Sequence, residues 1–195
     1  MTDHPISRFP VPEIAGLPDD IRAQILEVQE STGFVPNVFL TLAHRPDEFH
    51  AFFAYYDALM TRDGNLTKAE REMIIVATSA MNNCLYCVVA HGALLRIFAR
   101  DPLLADQLAT NPAHASLIPR QKAVVDFALL IASDSHLASE DDFEDLREHG
   151  LDDEDIWDIG AITALFALSN RMANLTAMRP NDEFYTMGRL PREKS

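Results

Sequence analysis

Apolar residues recur at helical spacing along most of the chain, and no segment alternates apolar and polar positions with the period of two expected of a half-buried strand. The pattern predicts an all-α protein. Residues 1–17 carry Pro5, Pro10 and Pro12 and read as an extended arm, followed by a helix from Asp19 to about Ser31. Val35-Pro36-Asn37 breaks the pattern. Pro46 opens a helix that runs to about Met60, because proline fits the first turn, where its missing N–H is not needed. After the turn Asp63-Gly64-Asn65, Thr67 and Glu70 form a capping box for the next helix. Met73 to Ala77 inside it is apolar on every side, which marks a buried central helix. Asn82-Asn83 stops that helix and caps another, from Cys84 to about Ala99. Further helices are expected from Asp101 to Ala109, from Pro119 to Ser133, from Ser139 to Gly150 and from near Asp152 to Ala177, where Arg179-Pro180 ends the last.

These elements predict one helical domain over residues 18–185 and a tail over 186–195 that ends in the loose Pro191-Arg192-Glu193-Lys194-Ser195. A faint repeat runs through the domain. Shifting the chain by 85 residues lays Leu66 on Leu151, Ile74 on Ile159 and Thr78 on Thr163. One half, about 46–110, holds the reactive residues. The other, about 119–180, is degenerate, with Ser169 at the place of Cys84 and Met172 at that of Cys87.

Composition narrows the function classes. Hydrophobic residues make up 48% of the 195, enough for a real core. Thirty acidic residues against sixteen basic give a formal net charge of −14, which argues against nucleic acid and anionic membranes as partners. The N-terminus lacks a basic stretch followed by an apolar one, and no apolar run approaches the roughly 20 residues of a membrane span. A cytoplasmic protein is therefore expected. In a reducing compartment its two cysteines make a poor structural staple, and a bridge closing so short a loop constrains the unfolded chain little.

Those cysteines carry the candidate chemistry. Cys84 and Cys87 lie three residues apart, with His91 one turn beyond Cys87 on the same helix face. A free thiol is only about 3% thiolate at neutral pH, yet thiolate is the reactive form. If Asn83 caps the helix, Cys84 stands in its first turn, where the helix dipole favours negative charge. His91 can take the proton of Cys87, directly or through a water. If the chain reverses at Asn82-Asn83, the flanking helices run antiparallel, and Glu72 comes abreast of His91 to orient it. Along one straight helix Glu72 and Cys84 would be about 18 Å apart. A rival reading makes Cys84, Cys87, His91 and Glu72 a zinc site, although structural zinc sites usually draw ligands from two separate turns.

The run Glu72, eleven intervening residues, then Cys84-Leu85-Tyr86-Cys87-Val88-Val89-Ala90-His91 resembles the alkylhydroperoxidase AhpD and carboxymuconolactone decarboxylase family. Gly33-Phe34-Val35-Pro36-Asn37 and Leu168-Ser169-Asn170-Arg171-Met172-Ala173-Asn174 are similar to its peroxidase-related subgroup. The resemblance implies an all-helical fold of two similar halves around a Cys-x-x-Cys helical hairpin. It implies homo-oligomers, trimers or hexamers, with a dimer as the alternative. It also implies a thiol-dependent peroxidase: Cys87 attacks the hydroperoxide, Cys84 resolves the product as a disulfide, and His91 and Glu72 relay protons. No bound cofactor or metal is expected, only a hydroperoxide substrate and an external dithiol donor protein. Well-known AhpD peroxidases carry a second histidine just before the second cysteine. Here that position is Tyr86, a poor base at neutral pH, so the relay is shortened. A general disulfide oxidoreductase and a non-catalytic redox sensor are the alternatives. The decarboxylase branch does not depend on such a cysteine pair.

Overall fold

In the computed structural model, which describes residues 5–189, ten α-helices follow one another and no strand occurs among the described residues. They are α1 (Asp19–Thr32), α2 (Asn37–Leu42), α3 (Pro46–Met60), α4 (Lys68–Met81), α5 (Leu85–Ala99), α6 (Leu104–Thr110), α7 (Pro119–Asp134), α8 (Glu140–Glu148), α9 (Asp153–Thr176) and α10 (Asp182–Thr186). The all-α expectation holds. Residues 1–4 of the expected arm and 190–195 of the expected tail lie outside the described residues.

Helix α4 is the axis of the molecule. Every residue from Glu70 to Ser79 is buried. On one side Ile74 and Ile75 pack against Val124 and Ala128 of α7 and Ile159, Ile162 and Phe166 of α9. On another, Met73, Val76 and Ala77 meet Leu95 of α5 and Leu104 and Leu108 of α6. Full burial of one such side chain contributes about 1.5–3 kcal/mol, which is why a helix with so little polar surface is stable only at the centre.

Local chemistry starts the two long helices in the same way. The Thr67 hydroxyl accepts the Glu70 amide hydrogen (3.1 Å), and the Glu70 carboxylate accepts that of Thr67 (2.8 Å). Asp152 and Asp155 make the same box at the start of α9. Further in, the hydroxyls of Thr78 and Thr163 each donate to the carbonyl four residues earlier, both at 2.8 Å. All three correspondences fall at the offset of 85 residues seen in the sequence. The caps also tie the helices together. Glu70 holds Arg120 of α7 (2.9 Å), and Asp155 accepts the Asn65 amide hydrogen (3.0 Å).

Two helices depart from the sequence reading. Pro36-Asn37, read as a break, is the start of α2, and α10 has no counterpart among the expected helices. Both are short and depend on partners far away in the chain. Asn37 donates its amide hydrogen to the Asn181 side chain (2.8 Å) and its own side-chain amide to the Arg179 carbonyl (2.8 Å). Asn181 in turn donates to the Val35 carbonyl (2.9 Å). Buried Arg96 of α5 donates to the carbonyls of Phe184 (2.7 Å) and Met187 (2.9 Å). The N-terminal arm is likewise pinned, with Arg8 donating to the Thr176 carbonyl at 2.7 Å. No helix among the described residues is long and apolar enough to cross a membrane.

Replacing Thr67 by Ala removes one half of the α4 capping box. Chemical denaturation of that variant should show a loss of about 1 kcal/mol in unfolding free energy, with the far-ultraviolet helix signal retained before the transition.

Candidate active site

The site lies where α4 reverses into α5. The reversal is tight: Asn83 takes a left-handed conformation (φ 53°), which asparagine tolerates better than most residues. Helix α5 begins at Leu85, so Cys84, and not Asn83, is its N-cap. This corrects the expectation that Asn83 caps and Cys84 sits in the first turn. The Cys84 sulfur itself accepts the Cys87 amide hydrogen, at 3.3 Å.

Antiparallel packing of α4 on α5 brings Glu72 to His91, as the hairpin argument requires. His91 Nδ1 donates to Glu72 Oε2 at 2.8 Å, with only 2% of the Glu72 side chain and 13% of that of His91 exposed. The edge of the imidazole also meets the Phe166 ring of α9, with centroids 4.7 Å apart. Nδ1 being spent on the carboxylate, Nε2 is the nitrogen left for chemistry. His91 makes no direct hydrogen bond to either sulfur among the described residues.

Both cysteines are free and buried. Their sulfurs are 2.7 Å apart. Hydrogen bonds to Cys84 from Cys87, and from the amides of Cys87 and Tyr86, draw its thiol below the ordinary value against the cost of burial. The shared hydrogen bond and burial drive Cys87 far upward. Because backbone donors converge on Cys84, we place the charge there and the shared proton on Cys87. The sequence argument had also favoured Cys84 as the more acidic thiol, but the leading cause is its neighbouring cysteine.

A cavity of about 300 Å³ opens beside this pair. Cys87, His91 and Tyr86 line it; Cys84 lies behind Cys87 and does not. The Tyr86 hydroxyl accepts the Val38 amide hydrogen (3.2 Å) and so fixes α2 across the cavity. Burial holds the phenol well above its usual range, which keeps it neutral and unfit to act as a base. The zinc arrangement is not assembled, for no group of three or more His, Cys, Asp or Glu side chains is placed to hold a metal among the described residues. A larger groove of about 630 Å³, lined by Trp157 and Tyr55, holds no cysteine and lies apart from this chemistry.

A family model of the carboxymuconolactone decarboxylase family matches residues 46–133, from the start of α3 through Glu72, both cysteines and His91. Among solved structures, a peroxidase-related protein with an alkylhydroperoxidase AhpD core from Ralstonia eutropha JMP134 is 70% identical over 97% of this chain and 100% of its own, with a TM-score of 0.96. A peroxidase-related protein from Silicibacter sp. TM1040 is 40% identical over 97% of this chain and 99% of its own, with a TM-score of 0.90. The chain belongs to the AhpD-like, carboxymuconolactone decarboxylase family. The debrominase Bmp8, caught in complex with 2,3,4-tribromopyrrole as a cysteine-to-alanine variant, shares the fold at 15% identity, with 95% and 96% coverage and a TM-score of 0.72. No curated protein gives a significant match.

One contributor went unassigned in the sequence reading. Ser169 of α9 lines the cavity and places its hydroxyl 4.0 Å from the Cys87 sulfur. Ser79 of α4 also approaches that sulfur, while its hydroxyl donates to Asn170 at 2.9 Å. The Ser169 hydroxyl favours a thiolate on Cys87 against the burial that opposes it, whereas the hydrogen of Ser79 is spent on Asn170. The signal was present in the repeat: Ser169 occupies the degenerate half's counterpart of Cys84.

Two outcomes follow for the reduced protein. Thiolate absorbance at 240 nm should rise in two separated steps, one below the ordinary thiol range of about 8.5 and one well above it; a single step of two thiolates near that value contradicts the geometry. Changing Ser169 to Ala should slow alkylation of Cys87 by iodoacetamide about tenfold at fixed pH, the scale of one charge-assisted hydrogen bond, and Ser169→Thr should restore it.

Proposed function

We propose that this protein is a thiol peroxidase cycling between a Cys84/Cys87 dithiol and disulfide. The observation that carries the proposal is the Cys87 sulfur in the wall of a largely apolar cavity, with the Cys84 sulfur 2.7 Å behind it and His91, held by Glu72, in the same wall. Access decides between the two sulfurs. Cys84 holds charge more readily, but only Cys87 faces the cavity.

The cycle begins when the Cys87 proton passes to Cys84. The Cys87 thiolate then attacks the terminal peroxide oxygen. A sulfur–oxygen bond forms, the oxygen–oxygen bond breaks, and the leaving alkoxide takes a proton that His91 Nε2 draws from solvent and passes on, directly or through a water. Cys87 is now a sulfenic acid. Cys84 attacks it, water leaves with the Cys84 proton, and a disulfide remains. An external dithiol protein returns the two electrons by exchange. Glu72 is a positioning residue: it fixes the imidazole and offsets the positive charge that develops there. The repeated helical halves and the exposed Trp157 face are compatible with a homo-oligomer, a trimer or hexamer.

A general disulfide oxidoreductase is the alternative reading, since both readings need a donor thiol to reach Cys87 through the cavity; the rates at which the reduced protein reacts with hydroperoxides and with disulfides separate them. The aromatic character of the cavity keeps a debrominase activity, as named for Bmp8, as a third reading. Bromide release from 2,3,4-tribromopyrrole would reveal it.

Changing Cys87 to Ser should abolish consumption of cumene hydroperoxide in the presence of dithiothreitol, and full activity in that variant refutes the proposal. Glu72→Gln should lower kcat/KM about a hundredfold, within the range for losing an oriented general acid–base, while circular dichroism stays native. An unchanged rate removes Glu72 from the relay.

A further inference from the structure

The walls of the cavity beside Cys87 specify what enters it. Besides Tyr86, six rings line it: Phe39, Phe52, Phe53, Tyr56, Phe166 and Phe184. They come from α2, α3, α9 and α10, and they hold one another in place. Phe39 stacks on Phe53 with centroids 4.3 Å apart, and Phe53 meets the edge of Phe52 at 5.2 Å. Phe184 is braced by Phe34 in an edge contact at 5.0 Å. An enclosure of mutually packed rings offers faces and edges to a flat guest.

Its volume of about 300 Å³ is twice the roughly 150 Å³ that holds one benzene ring in an apolar protein cavity. One ring with a branched substituent is of that size.

Charge makes the second selection. No lysine or arginine among the described residues lines the cavity. Its ionisable groups besides the tyrosines and Cys87 are Asp57 at the rim and His91, and His91 is already matched by the Glu72 carboxylate behind it. An anionic guest would leave water without a cation to meet it, beside an acidic rim and the negative faces of the rings. The formal charge of −14 repels it further on approach.

We infer that the cavity takes a neutral molecule built on a single substituted aromatic ring, its reactive group directed at Cys87 and Ser169, and that it excludes anions of equal size. On the peroxidase reading the substrate class is a neutral aryl-substituted hydroperoxide, not a fatty-acid hydroperoxide. This last step rests on that reading; the binding preference does not.

The test separates the two. Binding is measured by calorimetry on the full chain carrying Cys87→Ser, so that no turnover intervenes. Cumyl alcohol, neutral and the size of the expected product, should bind at least tenfold more tightly at pH 7 than phenylacetate, an aromatic anion with the same number of non-hydrogen atoms. Phe52→Trp, which narrows the cavity, should weaken cumyl alcohol at least fivefold. Equal or tighter binding of the carboxylate, no binding of cumyl alcohol, or indifference to Phe52→Trp overturns the inference. The unmodified reduced protein is then given cumene hydroperoxide and its 4-carboxy derivative. Cumyl alcohol binding as stated with no consumption of cumene hydroperoxide leaves the inference standing and sinks the peroxidase reading. Equal kcat/KM for the two hydroperoxides does the reverse.

Discussion

A carboxylate in the middle of a buried helix needs a donor, and the fold is arranged around giving Glu72 one. Only 2% of its side chain is exposed, and an unpartnered charge there would cost several kcal/mol. The donor is His91, brought alongside by reversing the chain at Asn82-Asn83. That hydrogen bond, with the packing of Met73, Val76 and Ala77 against Leu95, holds α4 and α5 in one register. The register in turn places Cys84 at the helix start, Cys87 one turn on, and both against α9. A slip of one residue would turn His91 away from the carboxylate and Cys87 away from the cavity.

The second half of the chain is more than packing. Helix α9 is capped and apolar as α4 is but is followed by no cysteine pair, and its Ser169 approaches the Cys87 sulfur. The Phe166 ring one turn earlier braces His91. Each half thus supplies part of one site: the first the thiols and the base, the second a hydroxyl and a wall. The C-terminal segment closes the remaining side, because Arg96 inside α5 holds the carbonyls of Phe184 and Met187. Their shared hydrogen bond and their access to the cavity set the two thiols apart. Donors gather on Cys84, which can carry charge but has no access; Cys87 has access but must be relieved of its proton by its neighbour.

Most of this was legible in the residues. Thr67 with Glu70 announces one helix start through local chemistry and Ser139 another, and those helices begin within a residue of where the sequence places them. Glu72 and His91 could be paired because a hairpin has few registers. Helices α2 and α10 were not legible, since Asn37 and Asn181 hold them across more than 140 residues of separation and no local pattern records that bond. Asn83 misled for a related reason: asparagine is both a good cap and a residue that tolerates a left-handed turn, and here it does the second. Tyr86 could be named as a departure from its relatives, but its bond to the Val38 amide depends on α2, which the sequence hid.

The division of labour between the two sulfurs is the centre of the account, and trapping the first oxidised sulfur tests it most directly. Protein carrying Cys84→Ser, reduced and mixed with one equivalent of cumene hydroperoxide in the presence of dimedone, should carry the adduct on Cys87 alone by tandem mass spectrometry. In the reciprocal Cys87→Ser protein, Cys84 should stay unlabelled. Cys84→Ser also removes the acceptor of the Cys87 proton, so labelling of Cys87 should be slow at neutral pH and quicken as pH rises; a dimedone adduct on Cys84 formed as fast as that on Cys87, or none on Cys87 at high pH, would contradict the assignment of attack to the cavity-facing sulfur.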